Sequence, residues 1–421
     1  MTGLNRRTLL SGMGALSLMP AGAAFARTDA RLVVIGAGFG GATAARSLKA
    51  LLPRASITLI DPAEAYISCP FSNLIMGGDR SLSDQTFPIN GWEGRGIEHI
   101  RMTARSVDPI KRAVELEDGA VLAYDRLILA PGIVFRWGAI EGYSPEATAR
   151  MPHAWKAGPQ TNDLRRQLVD MEDGGTVYMS SPEAPYRCPP GPYERASLIA
   201  HYLKTQKPKS KLIILDSKDT FSKKPLFQEA WAEDYPDHLE WVSAVDDGRV
   251  SRVDTQAMTL ETDFETHKAD VANIIPPQKA ALIAERSGVT DPTGWCPINA
   301  ISFESSLQSH IHIIGDAAIA APMPKSAFSA NLQGKVCAIQ VARLLNGLAP
   351  EPTRLVNTCY SFTSPEKAIS IVGAYTNKTG QFQSIEGAGG ISPLAAPDFV
   401  RELEAVQAKA WFDAIISETF G

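Results

Sequence analysis

Cysteine is scarce in this 421-residue chain: five residues, at 69, 188, 296, 337 and 359, and no two of them stand as CxxC. Without clustered thiols, a zinc ribbon, a c-type haem site on this chain and most iron–sulfur frameworks are excluded. Basic runs are missing too. Lys plus Arg number 41 against 46 Asp plus Glu, a formal net charge of −5, so a nucleic-acid backbone finds no electrostatic footprint here. Outside the N-terminus no 18-residue apolar stretch occurs, and the mean hydropathy of −0.08 excludes a polytopic membrane protein. The seven histidines are scattered; His310 and His312 share a strand face with no third ligand, so no metal site is expected. What remains is ordinary globular material, 44% hydrophobic and 21% charged, long enough for two or three domains.

The first residues read as an address. Asn5-Arg6-Arg7-Thr8-Leu9-Leu10 is a twin-arginine pattern, an apolar Gly/Ala-rich stretch runs to Phe25, and Ala24-Phe25-Ala26 is a small-x-small cleavage site. Residues 1–26 are therefore expected to be a signal peptide and the protein to be periplasmic, with no integral anchor after cleavage. Losing the leader removes two arginines and no acid, which leaves the chain more acidic still. The twin-arginine route exports folded proteins, commonly because a cofactor must be loaded first, and disulfides persist at its destination.

Arg31-Leu32-Val33-Val34-Ile35 is a short apolar run suited to a buried parallel strand. Gly36, Gly38 and Gly41 follow as G-x-G-x-x-G, then a helix over Ala42–Leu52, a strand Ile57–Ile60, and Asp61. Gly36 and Gly38 allow a tight turn and close approach to a pyrophosphate, Gly41 lets helix and strand pack, and Asp61 sits where a carboxylate accepts from ribose hydroxyls. Two later segments point to FAD. Tyr124-Asp125-Arg126-Leu127-Ile128-Leu129-Ala130-Pro131-Gly132 runs from a strand into a Gly turn, and Ile311-His312-Ile313-Ile314-Gly315-Asp316 is a strand ending in Gly-Asp. These elements resemble those of two-dinucleotide-binding-domain flavoproteins. The resemblance implies FAD, with Asp316 on the flavin ribitol.

A second βαβ unit follows: strand Gly175–Met179, helix Tyr193–Lys204, strand Lys211–Asp216. Its turn, residues 180–192, holds five prolines and one glycine. Proline offers no amide to a phosphate, and the loop is too bulky for a dinucleotide to reach the helix N-terminus. NAD(P)H is not expected to bind.

Tyr186-Arg187-Cys188-Pro189-Pro190-Gly191-Pro192-Tyr193-Glu194-Arg195-Ala196 resembles the cysteine loop of the flavoprotein subunit of flavocytochrome c sulfide dehydrogenase. Asn357-Thr358-Cys359-Tyr360-Ser361, Gly294-Trp295-Cys296-Pro297, Pro322-Met323-Pro324-Lys325-Ser326, the segment Ser329–Val336 and the closing Glu418-Thr419-Phe420-Gly421 resemble it as well, so the similarity covers the whole mature chain. The resemblance implies a redox disulfide between Cys188 and Cys359 and a thioether from Cys69 to the flavin. Pro70-Phe71 departs from the less constrained pair expected there, while Cys69 and Asn73 keep their places. It further implies sulfide or polysulfide as substrate and a c-type cytochrome subunit as acceptor and heterodimer partner. Cys359 is expected to be the departing thiolate when sulfide opens the disulfide. Sulfide:quinone oxidoreductase, and a flavin-binding thiol-handling protein of a sulfur-oxidation complex, are the alternatives.

The expected architecture is α/β, with two nested Rossmann-like domains of the disulfide-reductase type and a C-terminal α+β interface domain. Residues 31–160 and 276–355 would form the FAD domain, 161–275 the inserted domain without an NAD site, and 356–421 the last piece, with short strands near Ile369–Tyr375 and a helix from Asp398 to Ser417. A helix starting near Asn331 is expected to aim its amides at the flavin, with Lys325 or Lys335 assisting. Cys296 and Cys337 read as core thiols. The closing helix carries Phe399, Val400, Leu403, Val406, Trp411, Phe412, Ile415 and Ile416, expected to pack on its own domain.

Overall fold

The computed structural model describes residues 29–421; the expected twin-arginine leader lies outside the described residues. The chain opens with β1 (Arg31–Ile35), α1 (Phe39–Leu51) and β2 (Ser56–Ile60), then reaches β3 (Glu98–Ile100) and β4 (Arg126–Leu129). The last four residues of β1 and of β2 are buried, which is why these strands are apolar runs without alternation. Helix α1 starts three residues ahead of its expected first turn, because Gly40 and Gly41 are themselves helical. A Cβ on Gly41 would stand 1.8 Å from the Gly36 carbonyl oxygen, so only glycine lets helix and turn meet.

The inserted domain comprises α2 (Pro159–Asp170), β5 (Thr176–Ser181), α3 (Gly191–Gln206), β6 (Lys211–Asp216), α4 (Lys224–Asp234), β7 (Leu239–Val242) and β8 (Val271–Ile274). Its four strands form a parallel sheet in the order β7-β6-β5-β8. The chain then returns as β9 (Ile311–Ile313), whose Ile311 lies opposite Leu127 of β4. The first sheet is thereby completed as β9-β4-β1-β2-β3, all parallel.

After β9 come α5 (Ala327–Leu345), β10 (Arg354–Phe362), β11 (Ala368–Thr376) and α6 (Asp398–Phe420). Helices α1 and α5 cross closely, since a Cβ on Gly334 would fall 2.5 Å from the Gly40 carbonyl oxygen. Three expectations need correction in this region. Strands β10 and β11 form a nine-residue antiparallel ladder rather than short pieces, so the boundary expected at 355/356 falls inside β10. The signal was hidden because an inward position is filled by Asn357, whose Oδ1 accepts from the Ser326 and Ser329 hydroxyls. Helix α5 begins at Ala327, capped by Ser326, and not at Asn331. The apolar residues of α6 lie on two faces: Phe412 and Ile415 are buried, whereas Phe399, Leu403 and Val406 are exposed. No helix among the described residues is long and apolar enough to cross a membrane.

Candidate active site

Residues that follow four of the five first-sheet strands border one cavity: Gly36 and Gly38 after β1, Asp61 after β2, Ala130 and Gly132 after β4, Gly315 and Asp316 after β9. Gly36 adopts φ +99°, and a Cβ there would lie 2.3 Å from the Ala130 carbonyl oxygen, so the turn admits no side chain. Asp61 fixes the glycine loop by accepting from the amides of Ala37 at 2.7 Å and Ala63 at 2.9 Å. Asp316 lines the same cavity with one carboxylate oxygen, Oδ1, buried and without a partner, and burial raises its pKa. A glycine cradle, a carboxylate after the second strand and an orphaned acceptor after the last one suit the pyrophosphate, ribose and polyol of a dinucleotide. The residues therefore fit FAD, held by the Gly36–Gly41 turn, Asp61 and Asp316.

Three of the five cysteines reach this cavity, from three separate segments: Cys69, Cys188 and Cys359. Cys69 is half-buried, and its sulfur accepts from the Ala157 amide at 3.5 Å. Pro70-Phe71 pins its loop: Phe71, at φ +70°, stacks on Phe412 of α6 with centroids 4.4 Å apart. Cys188 sits in the proline-rich turn at φ +57°, a conformation non-glycine residues seldom hold without support. Support comes from its amide, which donates to the Lys325 carbonyl at 2.9 Å, and from its carbonyl, which accepts from Gly191 at 2.9 Å. Cys359 arrives on β10.

Glu194, in the first turn of α3, joins the two thiol segments. Its Oε1 accepts from the Phe362 amide of β10 at 2.9 Å and its Oε2 from Asn73 Nδ2 at 2.7 Å. Arg195 beside it is buried and donates to Asn73, Asn273 and the carbonyls of His153 and Ala154. Burial raises the pKa of both Cys188 and Cys359. For Cys188 the neighbouring Cys359 and Glu194 push further up and Arg187 and Lys223 pull down; for Cys359 the Lys223 ammonium pulls down, Glu194 pushes up and the Ser361 hydroxyl pulls down. Arg187, Glu194 and Lys223 were not recognised as site residues from the sequence. The first two lie within the quoted loop motif, whereas nothing local marks Lys223.

Other expected residues fall elsewhere. Lys335 is not at the cavity; it pairs with Glu418 of α6, because its position on α5 faces the closing helix. Asn331 is in the second turn of α5 and donates to Thr43 and Thr419, tying α1 to α6. Lys325 spends its ammonium on the carbonyls of Asp316 (2.7 Å) and Ala318 (2.8 Å), and burial brings its pKa down to about 8. Cys296 and Cys337 are fully buried, with pKa raised by burial, for Cys296 to about 12.

The second unit presents a contrast at the position matching Asp61. Asp216, at the end of β6, is fully buried and already engaged by Tyr193 Oη (2.6 Å), Trp241 Nε1 (3.0 Å) and Lys218 Nζ (2.5 Å). Helix α3 begins with Gly191 and Pro192 behind Pro190 at its cap, so its first turn is poor in amides.

Comparison with known proteins agrees with this geometry. Residues 161–276 match the family described as the central part of the sulfide dehydrogenase [flavocytochrome c] flavoprotein chain, and residues 351–420 match the flavocytochrome c sulphide dehydrogenase flavin-binding family. Residues 30–169 match the pyridine nucleotide-disulphide oxidoreductases. The chain is 51% identical over 45 residues to the sulfide dehydrogenase flavoprotein chain of Chlorobaculum thiosulfatiphilum, covering 11% of this chain and 94% of that one. It is 22% identical over 310 residues to the mitochondrial sulfide:quinone oxidoreductase of Mus musculus, covering 72% and 69%. Among solved structures, the sulfide:quinone oxidoreductase of Aquifex aeolicus shares the fold with a TM-score of 0.73 at 18% identity, over 92% of each chain.

Proposed function

The chain belongs to the family of flavocytochrome c sulfide dehydrogenase flavoprotein chains, and from that premise we propose that it acts in the periplasm, passing electrons from sulfide to a c-type cytochrome subunit. At the coarser level it is an FAD-binding oxidoreductase of the sulfide-oxidising flavoproteins. One observation carries the finer reading: Cys188 and Cys359, far apart in the chain, border the same cavity as the dinucleotide cradle. Cys69 borders it too, and we assign it the covalent bond to FAD.

The reaction we propose begins with hydrosulfide, a strong nucleophile that needs no general base; no histidine lines the cavity. Its sulfur bonds to one sulfur of the Cys188–Cys359 disulfide, the S–S bond breaks, and the electron pair leaves with the other sulfur as thiolate. A second hydrosulfide takes the outer sulfur of the persulfide as HSS⁻ and leaves two thiolates. Reclosing the disulfide releases two electrons; in sum, two HS⁻ become HSS⁻, one proton and two electrons. FAD, when bound, supplies the acceptor for that pair and can pass electrons on singly. Arg187, half-buried at the cavity and donating to the Trp155 carbonyl, presents a cation to the entering anion. The engaged Asp216 and the proline-rich start of α3 argue against NAD(P)H as a partner, and no haem motif occurs on the chain, so the electrons leave to an acceptor other than NAD(P)H or a haem of this chain, which on this reading is the cytochrome subunit. The acidic chain would steer a basic partner face toward it.

The likeness to sulfide:quinone oxidoreductases favours one second reading, with a quinone as acceptor. Anaerobic turnover of the purified protein with sulfide tests both. Reduction of added c-type cytochrome with little reduction of a soluble quinone supports the first reading; the reverse preference overturns it.

A further inference from the structure

Lys223 is only 4% exposed, and among the described residues no carboxylate forms an ion pair with it. Burying an ammonium is unfavourable in general, and this one stands at the N-cap of α4, with φ +64°, where the helix dipole opposes a cation. Its donors go to neutral acceptors only: Ser361 Oγ at 2.8 Å, the Cys359 carbonyl at 3.3 Å and the Ile369 carbonyl at 3.4 Å. Carbonyls alone do not require a charge. What lies beside those acceptors is the sulfur of Cys359.

Cys359 and Ser361 are two apart on β10, so their side chains point to the same face of the strand. Because Ser361 Oγ accepts from Lys223, its own hydrogen is free to be donated, and the Cys359 sulfur is its neighbour. The cation thus acts on that sulfur twice, through space and through a hydroxyl it orients. Cys188 feels Lys223 and Arg187 through space but has no such hydroxyl relay, so the hydroxyl is what sets the two sulfurs apart. The charged and titratable groups around the pair are Glu194 and Arg195 from α3, Tyr186 and Arg187 from the cysteine loop and Lys223 from the start of α4; Arg187 and Lys223 both favour the Cys188 thiolate, and Lys223 alone of the cations favours that of Cys359. Glu194 opposes both thiolates, and its carboxylate is spent on the Phe362 amide and Asn73.

We propose that Lys223, directly and through Ser361, holds Cys359 as the thiolate whenever the Cys188–Cys359 pair is open, so that Cys359 is the leaving sulfur and the persulfide builds on Cys188. The inference rests on the disulfide reading above and gives it a direction. Hydrosulfide bonds to the Cys188 sulfur, the S–S bond breaks, and the electron pair goes to Cys359, since the sulfur with the better-stabilised anion leaves faster. Lys223 is a positioning residue in this scheme. It does not touch substrate.

The test uses the reduced holoprotein without sulfide. Iodoacetamide labelling is followed from acid to alkaline pH, and the Cys188 and Cys359 peptides are quantified separately by mass spectrometry. In the parent, Cys359 should label at lower pH than Cys188. In Lys223→Met the Cys359 midpoint should rise by about one to three pH units, the usual effect of removing a close opposite charge, while Lys223→Arg should stay near the parent. Ser361→Ala should raise it by less; this variant keeps the cation and decides the matter if Lys223→Met does not fold. A purely structural lysine would alter stability and leave the order of the two thiols unchanged. The proposal is overturned if Cys188 labels first in the parent, or if Ser361→Ala and Lys223→Met leave the Cys359 profile where it was. Single-turnover sulfide addition then distinguishes the two levels: persulfide on the Cys359 peptide overturns this inference, and no persulfide on either peptide overturns the disulfide reading itself.

Discussion

Gly191 stands against Cys188 so closely that the two share one space. The Gly191 amide donates to the Cys188 carbonyl at 2.9 Å, and a Cβ on Gly191 would lie 2.9 Å from the Cys188 sulfur and 2.7 Å from the Trp155 ring. Gly191→Ala should therefore displace the sulfur or the indole. We expect a loss of about 1–3 kcal/mol, the usual cost of overpacking a tight site, together with incomplete Cys188–Cys359 pairing. Thermal unfolding and thiol counting under denaturing, non-reducing conditions check both. An alanine variant with parental stability and no free thiol at Cys188 would contradict this account.

Cys69 is the cavity's third sulfur and has no disulfide partner in the scheme above. Acid-precipitated parent protein should keep its yellow colour, and the peptide carrying Cys69 should bear the flavin mass. Cys69→Ala should release all flavin on denaturation while still binding it in the folded state, since the Gly36 turn, Asp61 and Asp316 remain. Complete release from the parent would refute the thioether.

How much of this could be read from the residues follows a physical line. Strands β1, β2, β4, β6 and β9 were legible because apolar runs ending in Gly or Asp have few other uses, and the glycine turn carried its own geometry. The ladder of β10 and β11 was not, because Asn357 occupies an inward position that only the distant hydroxyls of Ser326 and Ser329 make tolerable. The start of α5 was misplaced for a related reason: Ser326 is a strong cap, but it stands between Lys325 and an unremarkable alanine. Cys188, Cys359 and Cys69 were legible through motif resemblance, whereas Lys223 was not. It reaches β10 from the start of a helix in another domain, and no spacing rule connects residues 223 and 361.

His153 supplies a pH dependence with a defined sign. Its ring is buried beside Arg195, Lys156 and Arg187, and its Nδ1 accepts from the Trp155 amide at 2.9 Å, which requires the neutral ring. Burial, reinforced by those cations, brings the pKa down to about 3 from an ordinary 6.5. Between these values the unfolded chain binds a proton that the folded one refuses. Stability is thus full above about 6.5 and falls as pH drops toward 3, by about 1.4 kcal/mol per pH unit for one such proton. His153→Gln, whose amide oxygen can still accept from Trp155, should show a smaller fall in Tm between neutral pH and mild acid. An equal fall in parent and variant would remove His153 as the source.

Asp216 and Asp61 occupy equivalent ends of the second strand in their two units, and only one of them is open. Asp61 borders the dinucleotide cavity, whereas Asp216 is enclosed by Tyr193, Trp241 and Lys218. A ribose could reach Asp216 only by breaking a buried carboxylate's hydrogen bonds, each worth about 1.5–3 kcal/mol when the acceptor is charged. Phosphates would also meet Pro190 and Pro192 where a binding unit offers amides. Millimolar NADH or NADPH added without oxygen should therefore leave the flavin spectrum oxidised over minutes. Trp241 gives a second readout, because its indole donates to Asp216 and would sense any occupant. Its fluorescence should not change on titration with either nucleotide once inner-filter absorption is corrected. Bleaching of the flavin at micromolar NADH, or saturable quenching of Trp241, would mean that the proline-rich turn moves aside and that the second unit still binds a nicotinamide dinucleotide.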